Sequence, residues 1–160
     1  MNDTTAAEAL LGVQDLYARH AECICDGELE RWPDFFTESC VYKIASRVNV
    51  ERGLPLAPFL AESRGALRDR VVAIRNTMVF APRCVTHAVS GVRIAGREGA
   101  LLRTRSMFCV YQTLEDGATH IQLAGRTFDT IDTAGAEWLF AERVVVYDTD
   151  LVPGSVVYPV

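Results

Sequence analysis

Lysine is almost missing from this chain. Of its 16 basic residues, 15 are arginines and one, Lys43, is a lysine. Acidic residues number 21, so the formal net charge is −5. Without a basic excess there is no electrostatic footprint for nucleic acid. Long hydrophobic runs are missing too: none reaches the ~18–20 residues of a membrane-spanning helix. Met1 to Gly12 carries Asp3 and Glu8 and no basic cluster, so no secretory leader is expected. Five cysteines is an odd number, and their spacing fits no disulfide framework. Free thiols in a reducing cytoplasm are therefore expected. No repeat, linker or low-complexity tract interrupts the 160 residues, which predicts a single domain over 1–160 with room for a real core.

The familiar motifs of chemistry are missing as well. There is no G-x-S-x-G, no Walker loop, and no G-x-G-x-x-G after a strand. Cys23-Ile-Cys25 with His20 nearby has the look of a metal cluster. On a helix, however, residues two apart point about 200° from each other, so the two thiols do not face one ion. Cys84-Val-Thr-His87 is a C-x-x-H, half the signature of a two-histidine iron–sulfur centre. The other half, C-x-H, is absent, and positions three apart on a strand face opposite sides. No paired spacing supports a site of two histidines and a carboxylate.

What is present reads as α+β. Thr5-Ala-Ala-Glu8 forms a capping box. Leu10, Val13, Leu16, Tyr17, His20 and Ile24 follow at helical spacing, and Gly27 is placed to stop the helix. A short second helix is expected over Leu29–Phe36, a turn at Thr37–Cys40 and a strand from Val41. Asn49–Pro58 reads as irregular. A third helix starts near Ser63 with Leu67, Val71 and Ile74 buried and Arg64, Arg68, Arg70 and Arg75 largely towards solvent. Four β-prone runs follow, at about 84–94, 100–114, 119–131 and 137–149, with glycines at the connections. Gly96 to Gly99 reads as one of these hairpin turns, and Gly91 and Gly125 as bulges or bends. Helices packed on one face of a curved antiparallel sheet make a cone, and the apolar end, Leu151 to Val160, is expected to dock. Trp32 and Trp138 are expected in the core, and Phe36, Met107 and Trp138 are candidates to fill the cone.

A cone can also hold a pocket. Tyr17, His20, Asp26, Asp34, His87 and His120 are the groups available for acid–base work, and the trio Tyr17, Asp26 and His87 would serve a stand-alone dehydratase, isomerase or cyclase. A ligand-binding module without chemistry would need the same open pocket. Arg103 and Arg105 share strand parity with Leu101, Met107, Cys109 and Tyr111. Guanidinium groups on such a face need partners, either local (Glu142 or Asp129) or on another subunit.

The ordered set of residues resembles the small (β) subunits of Rieske-type aromatic-ring-hydroxylating dioxygenases. The matching positions are Tyr17, Glu30-Arg31-Trp32-Pro33-Asp34-Phe35-Phe36, Tyr42, Gly53-Leu54-Pro55-Leu56, Glu62-Ser63, Arg68-Asp69-Arg70, Arg83 with His87, Gly125-Arg126 with Asp129, Arg143 to Asp148 and the closing Val-Tyr-Pro-Val. The middle and the end are most similar to small subunits acting on salicylate and related benzoates, such as salicylate 5-hydroxylase. The resemblance implies the cone fold of nuclear transport factor, ketosteroid isomerase and scytalone dehydratase. It implies a hexamer of three large and three small subunits, the small ones associating as a trimer. The [2Fe–2S] cluster and mononuclear iron would lie on the large subunit, with none on this chain. The small subunit's own role would be structural, and Arg103, Arg105, Arg126 and Tyr158 would contact neighbouring subunits.

Overall fold

The structure, a computed structural model, describes residues 5–115, 117–152 and 154–160. Helix α1 spans Ala6–Cys25 and starts at the predicted capping box: the Glu8 amide donates to Thr5 Oγ1 at 3.2 Å, and the Thr5 amide to the Glu8 carboxylate at 2.7 Å. Gly27, at φ 73°, turns the chain away after it. The expected second helix shrinks to a 3-10 turn over Trp32–Phe35 with Pro33 in its first turn. The expected turn at Thr37–Cys40 is instead part of strand β1 (Phe36–Ser46), where the pairing slips between Phe36 and Val41. A bulge accommodates the polar Thr-Glu-Ser run there. The stretch read as irregular opens with a short helix α2 (Arg47–Glu51) and is followed by a three-residue strand β2 (Phe59–Ala61).

Helix α3 covers Arg64–Asn76, capped by Ser63, with Leu67, Val71 and Ile74 buried as expected. Two of its arginines face inward rather than out. Arg64 donates to the Phe36 carbonyl and pairs with Glu38 at 2.7 Å. Arg70 donates to the Val156 carbonyl at 2.8 Å and stacks over Phe59. Both contacts come from segments distant in sequence, which helical periodicity does not reveal.

Strands β3 (Arg83–Glu98), β4 (Leu101–Leu114), β5 (Thr119–Asp132) and β6 (Leu139–Tyr147) form the predicted meander. The first hairpin turns at Gly99 and Ala100, so Gly96 lies inside β3 rather than in the turn. Asp116, expected in the next turn, lies outside the described residues. Sheet order is β2-β1-β6-β5-β4-β3. All pairs are antiparallel except β1 with β6, which run parallel, so the sheet is not wholly antiparallel as expected. A parallel pair needs a long connection, and here everything from α2 to β5 supplies it.

Gly91 (φ 59°) sits at a slip in the β3–β4 pairing, a bulge as predicted. Gly125 is different. It lies in regular pairing between Phe108 and Tyr147, and a side chain there would overlap the Val146 carbonyl and come within 2.8 Å of Tyr147 Cα. It is a place of close backbone approach, not a bend.

The helix-covered face of the sheet carries Leu102, Phe108, Val110, Leu123, Ile131, Phe140, Val145 and Tyr147, all buried. Under the helices, Trp32, Phe36, Tyr42 and Phe140 pack edge to face or tilted, with ring centroids 5.3–5.7 Å apart. Each such fully buried ring contributes about 1.5–3 kcal/mol of transfer free energy. Phe36 fills the cone as predicted. Met107 does not, lying on the opposite face at 51% exposure. Trp138 is half-buried, its ring against α1 at Gly12, and is a rim rather than a core aromatic.

Candidate functional site

Three strands set polar residues in one row across the covered face: Thr104 on β4 pairs with Asp129 on β5, which pairs with Arg143 on β6. Strand alternation turns all three inward, and α1 lays Tyr17 on top of them. The Tyr17 hydroxyl donates to Asp129 Oδ2 and lies 3.0 Å from Thr104 Oγ1. Thr127 Oγ1 and Arg143 Nη1 donate to the same carboxylate oxygen at 2.7 and 3.1 Å. All five residues are buried. The Arg143 guanidinium also lies over the Tyr17 and Phe140 rings, 5.3 and 4.9 Å from their centroids.

The electrostatics follow from burial. Desolvation pushes the Asp129 carboxyl above its usual range, against the pull of Arg143, Tyr17 and Thr127. Asp129 Oδ1 is buried without a hydrogen-bond partner among the described residues. Burial, then the Asp129 charge, raises the Tyr17 phenol. Arg143, Tyr17 and Thr127 thus converge on one carboxyl oxygen of Asp129, Oδ2, while Oδ1 is left out. The centre of the cone is occupied by protein.

The acid–base candidates are dispersed. Tyr17 is committed to Asp129. Asp26 is exposed at the C-terminal cap of α1. His87 lies half-buried on β3, its Nε2 3.2 Å from the Pro159 carbonyl. Tyr17 and His87 line one groove between α1 and β3, yet their polar atoms serve different partners. His20 Nε2 accepts from the Trp32 indole at 3.1 Å among the rings of Phe35, Phe36 and Phe140. Burial holds it neutral, well below the ordinary histidine range. Asp34 is exposed beside Arg68 at 3.7 Å, and His120 is exposed.

The donor set does not fit an iron–sulfur centre. Cys23 Sγ donates to the Glu28 carbonyl, while Cys25 faces β3. Cys84 is exposed, and His87 turns to the helix. Among the described residues, no three of His, Cys, Asp or Glu gather as a metal site. No helix among them is long and apolar enough to cross a membrane.

The uncovered face of the sheet is the second surface of interest. Leu101, Arg103, Arg105, Met107, Tyr111, Arg126 and Phe128 are exposed there, with Val144 half-buried among them. Arg103 and Arg105 share this open side with Leu101, Met107 and Tyr111; the local partner of Arg103 is Glu98 at 2.7 Å rather than Glu142 or Asp129, and Arg105 lies over the Phe128 ring at 5.4 Å. The alternate positions Leu102, Thr104, Ser106 and Phe108 are the buried ones. Tyr158 is not on this face: it packs edge-on to Phe80 in the closing segment. That segment, expected to dock, packs on this chain's own β1 and α3. Tyr42 donates to the Val160 oxygen at 3.1 Å and accepts from its amide at 2.9 Å.

Similarity to known proteins follows this picture. A family model described as the ring-hydroxylating β subunit matches residues 19–154. The small subunit of anthranilate 1,2-dioxygenase from Burkholderia cepacia is 30% identical over 148 residues, 92% of this chain and 90% of that protein. A solved β subunit assigned to an aromatic-ring-hydroxylating dioxygenase of Novosphingobium aromaticivorans superposes with a TM-score of 0.89 at 33% identity, covering 97% and 99% of the two chains. A protein assigned as a scytalone dehydratase from the same organism superposes at 0.71 with 19% identity over 98% and 99%, a likeness of fold alone. The packed cone, the open sheet face and the match along most of the chain agree, and the chain belongs to the ring-hydroxylating β-subunit family.

Proposed function

We propose that this chain is the structural small subunit of the oxygenase component of an aromatic-ring dioxygenase. Its substrate would be a benzoate-type carboxylate such as salicylate, bound with the iron centres on a large subunit. The observation that carries this reading is the cone, where Tyr17, Asp129 and Arg143 stand in mutual contact at the place a substrate would need. The anthranilate enzyme's small subunit supports the carboxylate class, since anthranilate is a ring carboxylate with an ortho substituent. A stand-alone dehydratase would need a free acid–base pair beside an open pocket, and Tyr17, Asp26 and His87 do not offer one.

The assembly proposed is a hexamer of three large and three small subunits, whose closed symmetry repeats one interface around the axis. The uncovered sheet face suits such an interface. Met107 and Phe128 would form its apolar centre, ringed by Arg103, Arg105 and Arg126, whose planar guanidinium groups suit carboxylates across a subunit boundary. Tyr158, half-buried against Phe80 and off this face, is left out of that interface.

Co-expression with the large subunit, followed by mass determination and assay of iron and acid-labile sulfide, tests the assignment. The expected result is a mixed assembly in which sulfide follows the large subunit and the isolated chain carries none. An isolated chain that turns over an aromatic substrate, and stops doing so on His87→Ala, would overturn it. For the interface, Met107→Glu with Phe128→Glu is expected to weaken assembly by at least about tenfold, the effect of losing 1–2 kcal/mol at each of two central contacts. The thermal stability of the isolated chain should be unchanged. Assembly unaffected by both charges would place the interface elsewhere.

A further inference from the structure

Two motif halves rejected as metal clusters in sequence meet in space. Cys25 comes from the Cys23-Ile-Cys25 pair at the end of α1, and His87 from the Cys84-x-x-His87 run on β3. Cys25 Sγ lies 3.7 Å from His87 Nδ1 and also accepts the His87 main-chain amide at 3.3 Å. His87 Nε2 stands 3.2 Å from the Pro159 carbonyl. A carbonyl oxygen only accepts, so Nε2 carries the ring proton and Nδ1 turns its lone pair to the sulfur. This is the arrangement of a metal-ligating histidine, whose second nitrogen is fixed by a backbone carbonyl. Ligand bonds of about 2.3 Å to sulfur and 2.05 Å to nitrogen, at a tetrahedral angle, set the two donors about 3.6 Å apart. The observed separation needs almost no rearrangement.

We propose that Cys25 and His87 form a binding site for a borderline divalent metal ion, zinc in particular. The ion replaces the thiol proton between Sγ and Nδ1, and that proton leaves to solvent. Solvent completes the coordination from the groove between α1 and β3, which has a volume of about 590 Å³ and is also lined by Gln14, Glu22 and Ser90. Thiolate with imidazole selects zinc-like ions over magnesium or calcium. With the ring proton held on Nε2 by the Pro159 carbonyl, Nδ1 has its lone pair available to a metal ion. The site would also stiffen the docked segment, since the same imidazole holds Pro159.

The test is a titration of the purified full chain with cobalt(II), read by thiolate-to-cobalt charge-transfer absorption and then by displacement with zinc(II). The expected result is a saturable signal that zinc removes, that Cys25→Ser abolishes and that the exposed-thiol variant Cys84→Ser leaves in place. His87→Gln should weaken binding by more than about tenfold, since even supporting residues at metal sites are worth that much. Thermal melts of Cys25→Ser check that the fold survives. Absence of the signal in the unaltered chain, or its persistence in Cys25→Ser, would overturn the proposal.

Discussion

Arg143→Ala is expected to destabilise the isolated chain by about 3–5 kcal/mol, the usual cost of removing one partner from a buried ion pair. For a domain of this size that is a fall in melting temperature of roughly 10 °C. The substitution strips Asp129 of its counter-charge and removes the cation over the Tyr17 and Phe140 rings. It leaves a carboxylate in a dry interior where one oxygen already lacks a partner. The effect should depend on pH in a definite direction. Burial raises the Asp129 carboxyl in the folded state, and losing Arg143 raises it further. A group whose folded value lies above its unfolded value stabilises at low pH, and that stabilisation is lost as the pH rises through the folded value. The deficit of Arg143→Ala should therefore shrink between neutral and mildly acidic conditions, as the carboxyl takes up a proton. Replacing both partners, Arg143→Met with Asp129→Leu, should recover much of the loss, since an apolar pair avoids the desolvation of both charges. Chemical denaturation across pH measures all of this. A pH-independent deficit, or a double variant no better than the single, would show that Asp129 and Arg143 do not act as a pair.

Gly125→Ala should be comparably severe for a steric reason. The added methyl group would run into the Val146 carbonyl on the neighbouring strand and sit 2.8 Å from Tyr147 Cα. Ordinary overpacking costs about 1–3 kcal/mol because flexible side chains give way. Here the obstruction is backbone in the middle of the sheet, so the expected cost exceeds about 3 kcal/mol and much of the protein should be lost to the insoluble fraction. Gly135→Ala, in the loop between β5 and β6, is the mild control, its methyl coming no nearer to a neighbour than 3.3 Å, at the Glu137 oxygen. Equal stabilities for the two variants would mean that β5 and β6 separate at little cost.

The parts of this fold legible in sequence are those with local causes. The α1 helix announces itself through Thr5, Glu8, its apolar spacing and Gly27, because cap, stripe and stop all lie within one element. The meander is legible for the same reason, each strand following the last through a short connection. The parallel pairing of β1 with β6 left no trace, since nothing near Tyr42 or Val144 records which strand will lie alongside. Helix α2 and strand β2, at five and three residues, are too short for any period to repeat.

The buried polar row was only half visible. Alternation on β5 places Asp129 with Leu123 and Ile131, which is enough to put a carboxylate on the covered face. Arg143 precedes a run of three valines and shows no alternation to read. On β4 both faces carry large apolar residues, Met107 and Tyr111 on one and Leu102 and Phe108 on the other. Parity alone therefore groups Arg103 and Arg105 with Met107 and Tyr111 without saying that the helices cover the other face. The contact of Cys25 with His87 spans 62 positions, beyond the reach of any spacing rule.

The pairing of the first long strand with the last also orders events in time. Strand β1 leaves the ribosome early, yet its neighbour β6 is made about a hundred residues later, from Phe36 to Leu139. Until then Tyr42 lacks its β6 neighbour Arg143 and the closing segment that its hydroxyl holds. Contacts of such long sequence separation are slow to form, because the loop entropy is spent before they stabilise anything. The nascent N-terminal half, with the edge of β1 open, is the species most exposed to wrong pairing during synthesis.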